Sequence, residues 1–293
     1  MEPFGRVLTA MITPFTEEGR LDYDRAWNLA RYLTEHGSDG LVVTGTTGES
    51  PTLTNDEKVA LYRTVVEAVA NRETMVLAGT GTYDTAESVY LTQRAQEVGC
   101  NGILAVTPYY SRPSQEGLVA HFQAMADASD LPVLLYNIPG RTARRIEIET
   151  LKRLADHPRI VAVKDAVMDI DFTSQTCQEV PQLAVYSGQD SMTLPMMAVG
   201  AIGVVSVISH LAGDVVRQLV AAAAAGDLPR ARQLHHQLLP LAFACFLEPN
   251  PAPVKAAMNA LWEPVGSPRL PLVAASESTL AAVKEALGVV QGL

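Results

Sequence analysis

Cysteine is scarce in this chain: three residues, Cys100, Cys177 and Cys245, in a length of 293. They are far apart, odd in number and never paired as C-x-x-C. That argues against a disulfide framework or a thiolate zinc site and for a reducing compartment. Bases are outnumbered too, 22 Lys and Arg against 32 Asp and Glu, for a formal net charge of -10. Nucleic-acid surfaces need clustered cations against phosphates, so general nucleic-acid binding is not expected. An anionic substrate would have to be held by individual cations. The longest apolar run, Leu194 to Ile208, is broken by glycine, serine and proline and falls short of the about 20 residues of a membrane helix. The stretch Met1 to Phe15 has Arg6 as its only base and no small-residue cleavage pattern, so no secretory leader is expected and the location expected is cytoplasmic. The six histidines lack H-E-x-x-H or similar spacing, and no metal is assigned. There is no G-x-S-x-G elbow, P-loop or dinucleotide fingerprint, and no cofactor is expected. Low complexity is limited to Ala221–Ala225.

What is present is a regular alternation. Short apolar runs recur at Val7–Ile12, Leu41–Val43, Met75–Ala78, Ile103–Val106, Val133–Tyr136, Ile160–Val163, Leu183–Tyr186 and Gly203–Val207. Between them lie amphipathic segments, among them Tyr23–His36, Asn55–Ala70, Thr85–Val98, Gln115–Ala128 and Ile146–Ala155, with apolar positions three and four apart. Asp22, Thr54 with Glu57, and Ser114 read as helix starts, and Gly37, Gly99 and Gly200 as helix ends. Eight such units predict an α/β fold, a (β/α)8 TIM barrel, better than an open doubly wound sheet. A chain this long buries about three quarters of its unfolded surface, so the core needs no staple. After the eighth run the pattern is helix only. The expected organisation is a catalytic barrel over residues 1–224 and a helical extension over 225–293.

In a parallel barrel the chemistry sits at the carboxyl ends of the strands. The run Ile160–Val163 ends on Lys164, where a desolvated amine has its pKa pushed down toward a nucleophile able to form a Schiff base. From that strand alone, a lysine that merely opens a loop and reaches water fits as well. The second run is followed by Thr44-Gly45-Thr46-Thr47-Gly48-Glu49-Ser50, either a carboxylate cradle of hydroxyls and N–H groups or a simple Thr/Gly turn. The fourth ends in Thr107-Pro108-Tyr109-Tyr110 and the fifth in Tyr136-Asn137-Ile138-Pro139-Gly140-Arg141. Arg141 follows a Pro-Gly turn at the active rim, where a guanidinium can hold a substrate carboxylate with two hydrogen bonds. The glycines around Gly188 and Gly200–Gly203 lack a basic partner and suit packing or a keto-acid contact. Together the lysine, the threonines, the tyrosines and the arginine suit enamine chemistry on a keto acid.

These strand-end motifs, with Val163-Lys164-Asp165, resemble the dihydrodipicolinate synthase and N-acetylneuraminate lyase family essentially end to end. The resemblance implies a homotetramer, a dimer of tight dimers, that forms a Schiff base with pyruvate. It implies Lys164 as the Schiff-base lysine, Tyr136 as proton donor and acceptor beside it, and Thr46 and Tyr110 as the rest of a proton relay. The tyrosine matching Tyr109 packs across the tight-dimer interface, and the one matching Tyr110 enters the neighbouring subunit's site. Thr47 and Val205 match residues that hold the pyruvate carboxylate. Arg141 resembles the arginine of the synthase branch, which binds the carboxylate of L-aspartate 4-semialdehyde in the diaminopimelate and lysine route. The segment Glu248–Lys255 also looks like that branch. Alternatives are a sialic-acid or 2-keto-3-deoxy sugar acid aldolase of the same family, or a non-catalytic keto-acid-binding barrel.

Two departures stand out. After Lys164 this chain has Asp165-Ala166-Val167-Met168, where the family more often has Glu, Ala, a small residue and Gly, and Ser111 replaces a common asparagine. Asn55 and Lys58 stand where lysine-inhibited members carry histidines. A cation at Lys58 would repel an incoming ammonium, so inhibition by lysine is expected to be weak or absent.

Overall fold

In the computed structural model, which describes residues 2–292, eight parallel strands close into a barrel in sequence order. They are β1 (Val7–Ala10), β2 (Gly40–Val43), β3 (Met75–Gly79), β4 (Gly102–Val106), β5 (Val133–Asn137), β6 (Ile160–Asp165), β7 (Ala184–Ser187) and β8 (Gly203–Ser206). Between and after them run α1 (Tyr23–Glu35), α2 (Asn55–Val69), α3 (Thr85–Glu97), α4 (Gln115–Asp127), α5 (Pro139–Thr142), α6 (Ile148–Ala155), α7 (Ile170–Glu179), α8 (Thr193–Ala198), α9 (Ser209–Ala224), α10 (Leu228–Ala244), α11 (Ala252–Leu261) and α12 (Glu277–Gln291). The expected TIM barrel is the fold observed.

The two-residue period of the strands sorts their side chains into two layers. Leu8, Val42, Leu77, Leu104, Leu134, Tyr136, Ala162, Tyr186 and Val205 pack together inside the barrel. Leu41, Val43, Ile103, Leu135, Val163 and Val185 face outward into a larger cluster beneath the helices. Each such aliphatic side chain contributes roughly 1.5–3 kcal/mol when fully buried. Lys164 follows Ala162 by two residues and therefore shares the inward parity.

The start signals act as the sequence predicts. Asp22 accepts from the Arg25 amide at 2.9 Å, Ser114 accepts from the Gly117 amide at 3.2 Å, and Thr54 with Glu57 forms a reciprocal capping box. The strand ends shift. β1 stops at Ala10 instead of Ile12, because the Ile12 amide is taken by His210 Nε2 at 3.1 Å. β6 runs two residues further than expected, so Lys164 and Asp165 stay in the ladder opposite Tyr136 and Asn137. Pro139 to Thr142 form a one-turn helix, not the Pro-Gly turn anticipated for Arg141.

The late helices pack on one flank. α9, α10 and α12 bury a cluster that includes Leu219, Leu234, Leu241 and Val283 against Val7 and Val204, on the outer faces of β1 and β8. No helix among the described residues is long and apolar enough to cross a membrane.

Candidate active site

Lys164 sits near the carboxyl end of β6, only 6 % exposed. Its ladder neighbours are Tyr136 on β5 and Tyr186 on β7, and its Nζ stands 4.1 Å from the centroid of the Tyr136 ring. Burial pushes the amine down to about 7, against the opposing charge of Asp190 and with help from the Arg141 cation. An amine at that value is about half uncharged at neutral pH, far more than a solvated lysine, and so is available as a nucleophile. Tyr136 moves the other way: burial raises its phenol to about 12, although the Arg141 charge and a hydrogen bond with Thr46 pull it down. The phenol therefore keeps its proton and can pass it on.

The loop after β2 is held in a strained shape. Thr44 and Glu49, at its two ends, have φ of 55° and 57°, a left-handed conformation that non-glycine residues seldom adopt. Each end is pinned. The Thr44 hydroxyl donates to the Gly79 carbonyl at 3.1 Å, which also accepts from Tyr62 at 2.9 Å. A Cβ on Gly79 would lie 2.4 Å from the Thr44 carbonyl oxygen, so the loop's close approach requires glycine there. At the far end the buried Glu49 carboxylate accepts from Lys255 Nζ at 2.8 Å and from the Arg269 amide at 2.8 Å. Between the pins, Thr46 faces a cavity and Thr47 is buried, its hydroxyl accepting from Asn250 Nδ2 at 2.9 Å.

That cavity, of about 200 Å3, opens at the carboxyl ends of the strands and is lined by Thr46, Tyr109, Tyr136, Arg141 and their neighbours. Arg141 is exposed on its short helix and, among the described residues, has no carboxylate within ion-pair distance. A guanidinium at the mouth of a small pocket is suited to a carboxylate brought by substrate. A larger cavity, about 640 Å3, lies at the opposite end, lined by Gly5, Arg6, Thr74 and Met75 beside the strand starts. In parallel barrels that face serves stability, and its arginines already meet carboxylates at Glu2, Glu35 and Asp39.

The structure thus brings together Lys164, Tyr136, Thr46 and Arg141. Val205 is buried in the barrel interior, in register with Leu8, and Thr47 lies beside Thr46. Tyr110 stands apart: it is 93 % exposed with φ 69° and does not line the cavity of its own chain. Tyr109 packs edge-on to Tyr83 at 5.3 Å. Among the described residues no group of three or more His, Cys, Asp or Glu is placed to hold a metal.

Three groups were not picked out from the sequence. Asp190, after β7, is buried with its carboxylate accepting from the Ser206 hydroxyl at 2.5 Å and the Val207 amide at 2.9 Å. It supplies the negative charge opposite Lys164. Asn250 and the Glu49–Lys255 pair bring the late chain onto the Thr46–Thr47 loop. The unusual Asp165 has the outward parity of Val163, and its carboxylate accepts from the Val167 amide at 2.9 Å and the Thr173 hydroxyl at 2.6 Å. It ties the loop to α7 instead of entering the site. Met168 has φ 62°, which accounts for a glycine preference at this position. Gly188 is a packing glycine, since a Cβ there would meet Ala166 Cβ at 2.7 Å.

A family model described as the dihydrodipicolinate synthetase family matches residues 3–289. The chain belongs to this family. It is 56 % identical over 276 residues to a 4-hydroxy-tetrahydrodipicolinate synthase of Synechococcus elongatus, covering 94 % of this chain and 92 % of the relative. The corresponding protein of Moorella thermoacetica is 52 % identical over 287 residues, 96 % and 98 % of the two chains. A crystal structure of the Cyanidioschyzon merolae dihydrodipicolinate synthase with lysine bound superposes with a TM-score of 0.97 at 41 % identity, covering 100 % of both chains.

Proposed function

We propose that the chain is an enzyme that condenses pyruvate with L-aspartate 4-semialdehyde to 4-hydroxy-tetrahydrodipicolinate, in the route to diaminopimelate and lysine. The observation that carries the chemistry is the buried Lys164 amine, held near neutrality against the Tyr136 ring. Its family and the names of its relatives support the choice of substrates.

The amine attacks the pyruvate ketone, water leaves, and an iminium forms on Lys164. The iminium draws electrons from the methyl carbon, which loses a proton to become an enamine. The enamine carbon adds to the aldehyde of the second substrate, whose amine then attacks the imine carbon, closing the ring and freeing Lys164. Tyr136 carries protons through these steps, with Thr46 hydrogen-bonded to it. Thr47 and Val205 hold the pyruvate end, and Arg141 receives the carboxylate of the semialdehyde. None of these steps requires an organic or metal cofactor.

Tyr110 completes the relay from a second copy of the chain. Its exposure beside the Tyr83–Tyr109 pair supports a tight dimer in which each subunit lends a tyrosine to its partner, and the full assembly is a homotetramer, a dimer of such dimers. Residues 1–224 form the catalytic barrel and 225–293 the extension that braces it. Small molecules are the partners, without nucleic acid or membrane, and the location is the cytoplasm. Lysine inhibits weakly or not at all: Lys58 Nζ already lies 3.9 Å from the Glu87 carboxylate, almost fully buried, so a cation occupies this acidic group.

The deciding assay compares substrates. Turnover with pyruvate and aspartate semialdehyde, and none with sialic acid or 2-keto-3-deoxy sugar acids, is the expected result. The reverse order of preference would replace the synthase with a sugar-acid aldolase.

A further inference from the structure

Thr47 and Asn250 are 203 positions apart in sequence, yet their side chains meet at 2.9 Å in the interior. Asn250 is 6 % exposed and Thr47 3 %. The bond has a polarity. The Asn250 Nδ2 group has protons and no lone pair to offer, so the Thr47 hydroxyl must accept, and its own proton is left to point elsewhere. This is the one side-chain hydrogen bond of the Thr47 hydroxyl among the described residues. Asn250 Oδ1, buried as well, has no partner among them, so the amide's one side-chain partner is Thr47.

We propose that Asn250 is a positioning residue for the keto acid: its amide occupies one lone pair of the Thr47 hydroxyl and so orients the hydroxyl proton toward the substrate carboxylate. This rests on the reading of Thr47 as a carboxylate contact. A free hydroxyl rotates and can offer a lone pair to an anion, which repels it. With one of its two lone pairs held by an N–H, the hydroxyl turns less freely and its proton is left for the anion. The late chain is rigid enough for the task. Five residues on, Lys255 Nζ donates to the Thr13 carbonyl at 3.0 Å, the Ser267 carbonyl at 3.2 Å and Glu49 at 2.8 Å. The same segment therefore fixes the far end of the Thr46–Thr47 loop and the direction of the hydroxyl within it.

Asn250→Asp keeps the shape and reverses the polarity. A carboxylate only accepts, so Thr47 donates to it and its proton is lost to the substrate, while a negative charge faces the keto acid. The expected result is a rise in KM for pyruvate of about tenfold or more, the scale of one charge-assisted hydrogen bond lost. KM for the semialdehyde should change by less than about twofold, since uniform binding of the other substrate is untouched. Asn250→Ala, which leaves Thr47 undirected, raises the pyruvate KM by a smaller factor and serves if the aspartate variant does not fold. In a Thr47→Val background, Asn250→Ala has no further effect on that KM. Borohydride trapping at saturating pyruvate reports that the lysine is intact throughout. Thr47→Val that raises the pyruvate KM, beside folded Asn250 variants that do not, overturns the proposal and leaves the role of Thr47 standing. Thr47→Val with an unchanged pyruvate KM removes the role of Thr47, and the proposal with it.

Discussion

Lys164 and Tyr136 are direct neighbours across the β5–β6 ladder, and the lysine nitrogen lies 4.1 Å from the centre of the tyrosine ring. The pair splits its titrations: burial lowers the amine to about 7 and raises the phenol to about 12. A neutral amine and a protonated phenol therefore coexist at neutral pH. The rate of imine formation with pyruvate should rise as pH increases through about 7 and then level off, as the uncharged amine becomes the dominant form. A stopped-flow or quench-trapping profile checks this. A midpoint near 10, the range of a solvated lysine, would contradict the buried amine.

The same shift bears on stability. An unfolded lysine holds its proton up to about 10.4, whereas the folded amine releases it near 7. Between those values the unfolded chain binds the extra proton, so this residue makes stability rise with pH across that window, and its burial penalty is greatest below it. Lys164→Met should unfold at a higher temperature at neutral pH and lose that part of the pH dependence.

Arg141→Ala separates the two substrates. Pyruvate trapping on Lys164 should persist, while kcat/KM for the semialdehyde falls by roughly 10- to 150-fold, the loss of a charge-assisted contact of about 1.5–3 kcal/mol. Steady-state kinetics with each substrate varied in turn makes the measurement. Wild-type efficiency in the variant would remove the reason for preferring the semialdehyde.

The Lys255–Glu49 pair is almost wholly buried. Removing only the cation leaves a carboxylate stranded in the core, with the Arg269 amide as its remaining hydrogen-bond donor. Lys255→Met should destabilise the fold by roughly 3–5 kcal/mol, and Lys255→Met with Glu49→Gln should recover part of the loss. Thermal or denaturant unfolding of the three variants gives the comparison, and equal losses in the single and double variants would contradict it.

Tyr110 gives a test of the dimer. Lys164→Ala and Tyr110→Phe should each be nearly inactive alone. Dissociated, mixed and reassembled, they should regain activity, because a hybrid dimer contains one site with both Lys164 and a partner's tyrosine. No recovery in verified hybrids would place Tyr110 outside the neighbouring site.

What the sequence revealed and what it hid follow from range. The eight strands, the capping residues and the strand-end motif around Lys164 are local patterns, and they were legible. Arg141 was legible as a residue but not in its setting, since Pro139 opens a single helical turn as readily as it forms a tight turn. Lys164 staying in the ladder depended on pairing with Tyr136, which no local pattern encodes. Asp165 stands out in the sequence as a departure from the family pattern, but only strand parity shows that its carboxylate turns toward Thr173. Asn250 and Lys255 reach the Thr47 loop across some two hundred positions, a contact that only the closed barrel creates.

The most direct test of the covalent mechanism is borohydride reduction in the presence of pyruvate, followed by mass spectrometry of the peptides. A pyruvate-derived mass increment is expected on the peptide that contains Lys164, absent without pyruvate and absent in Lys164→Ala. An active enzyme with no increment, or with the increment on another lysine, would contradict it.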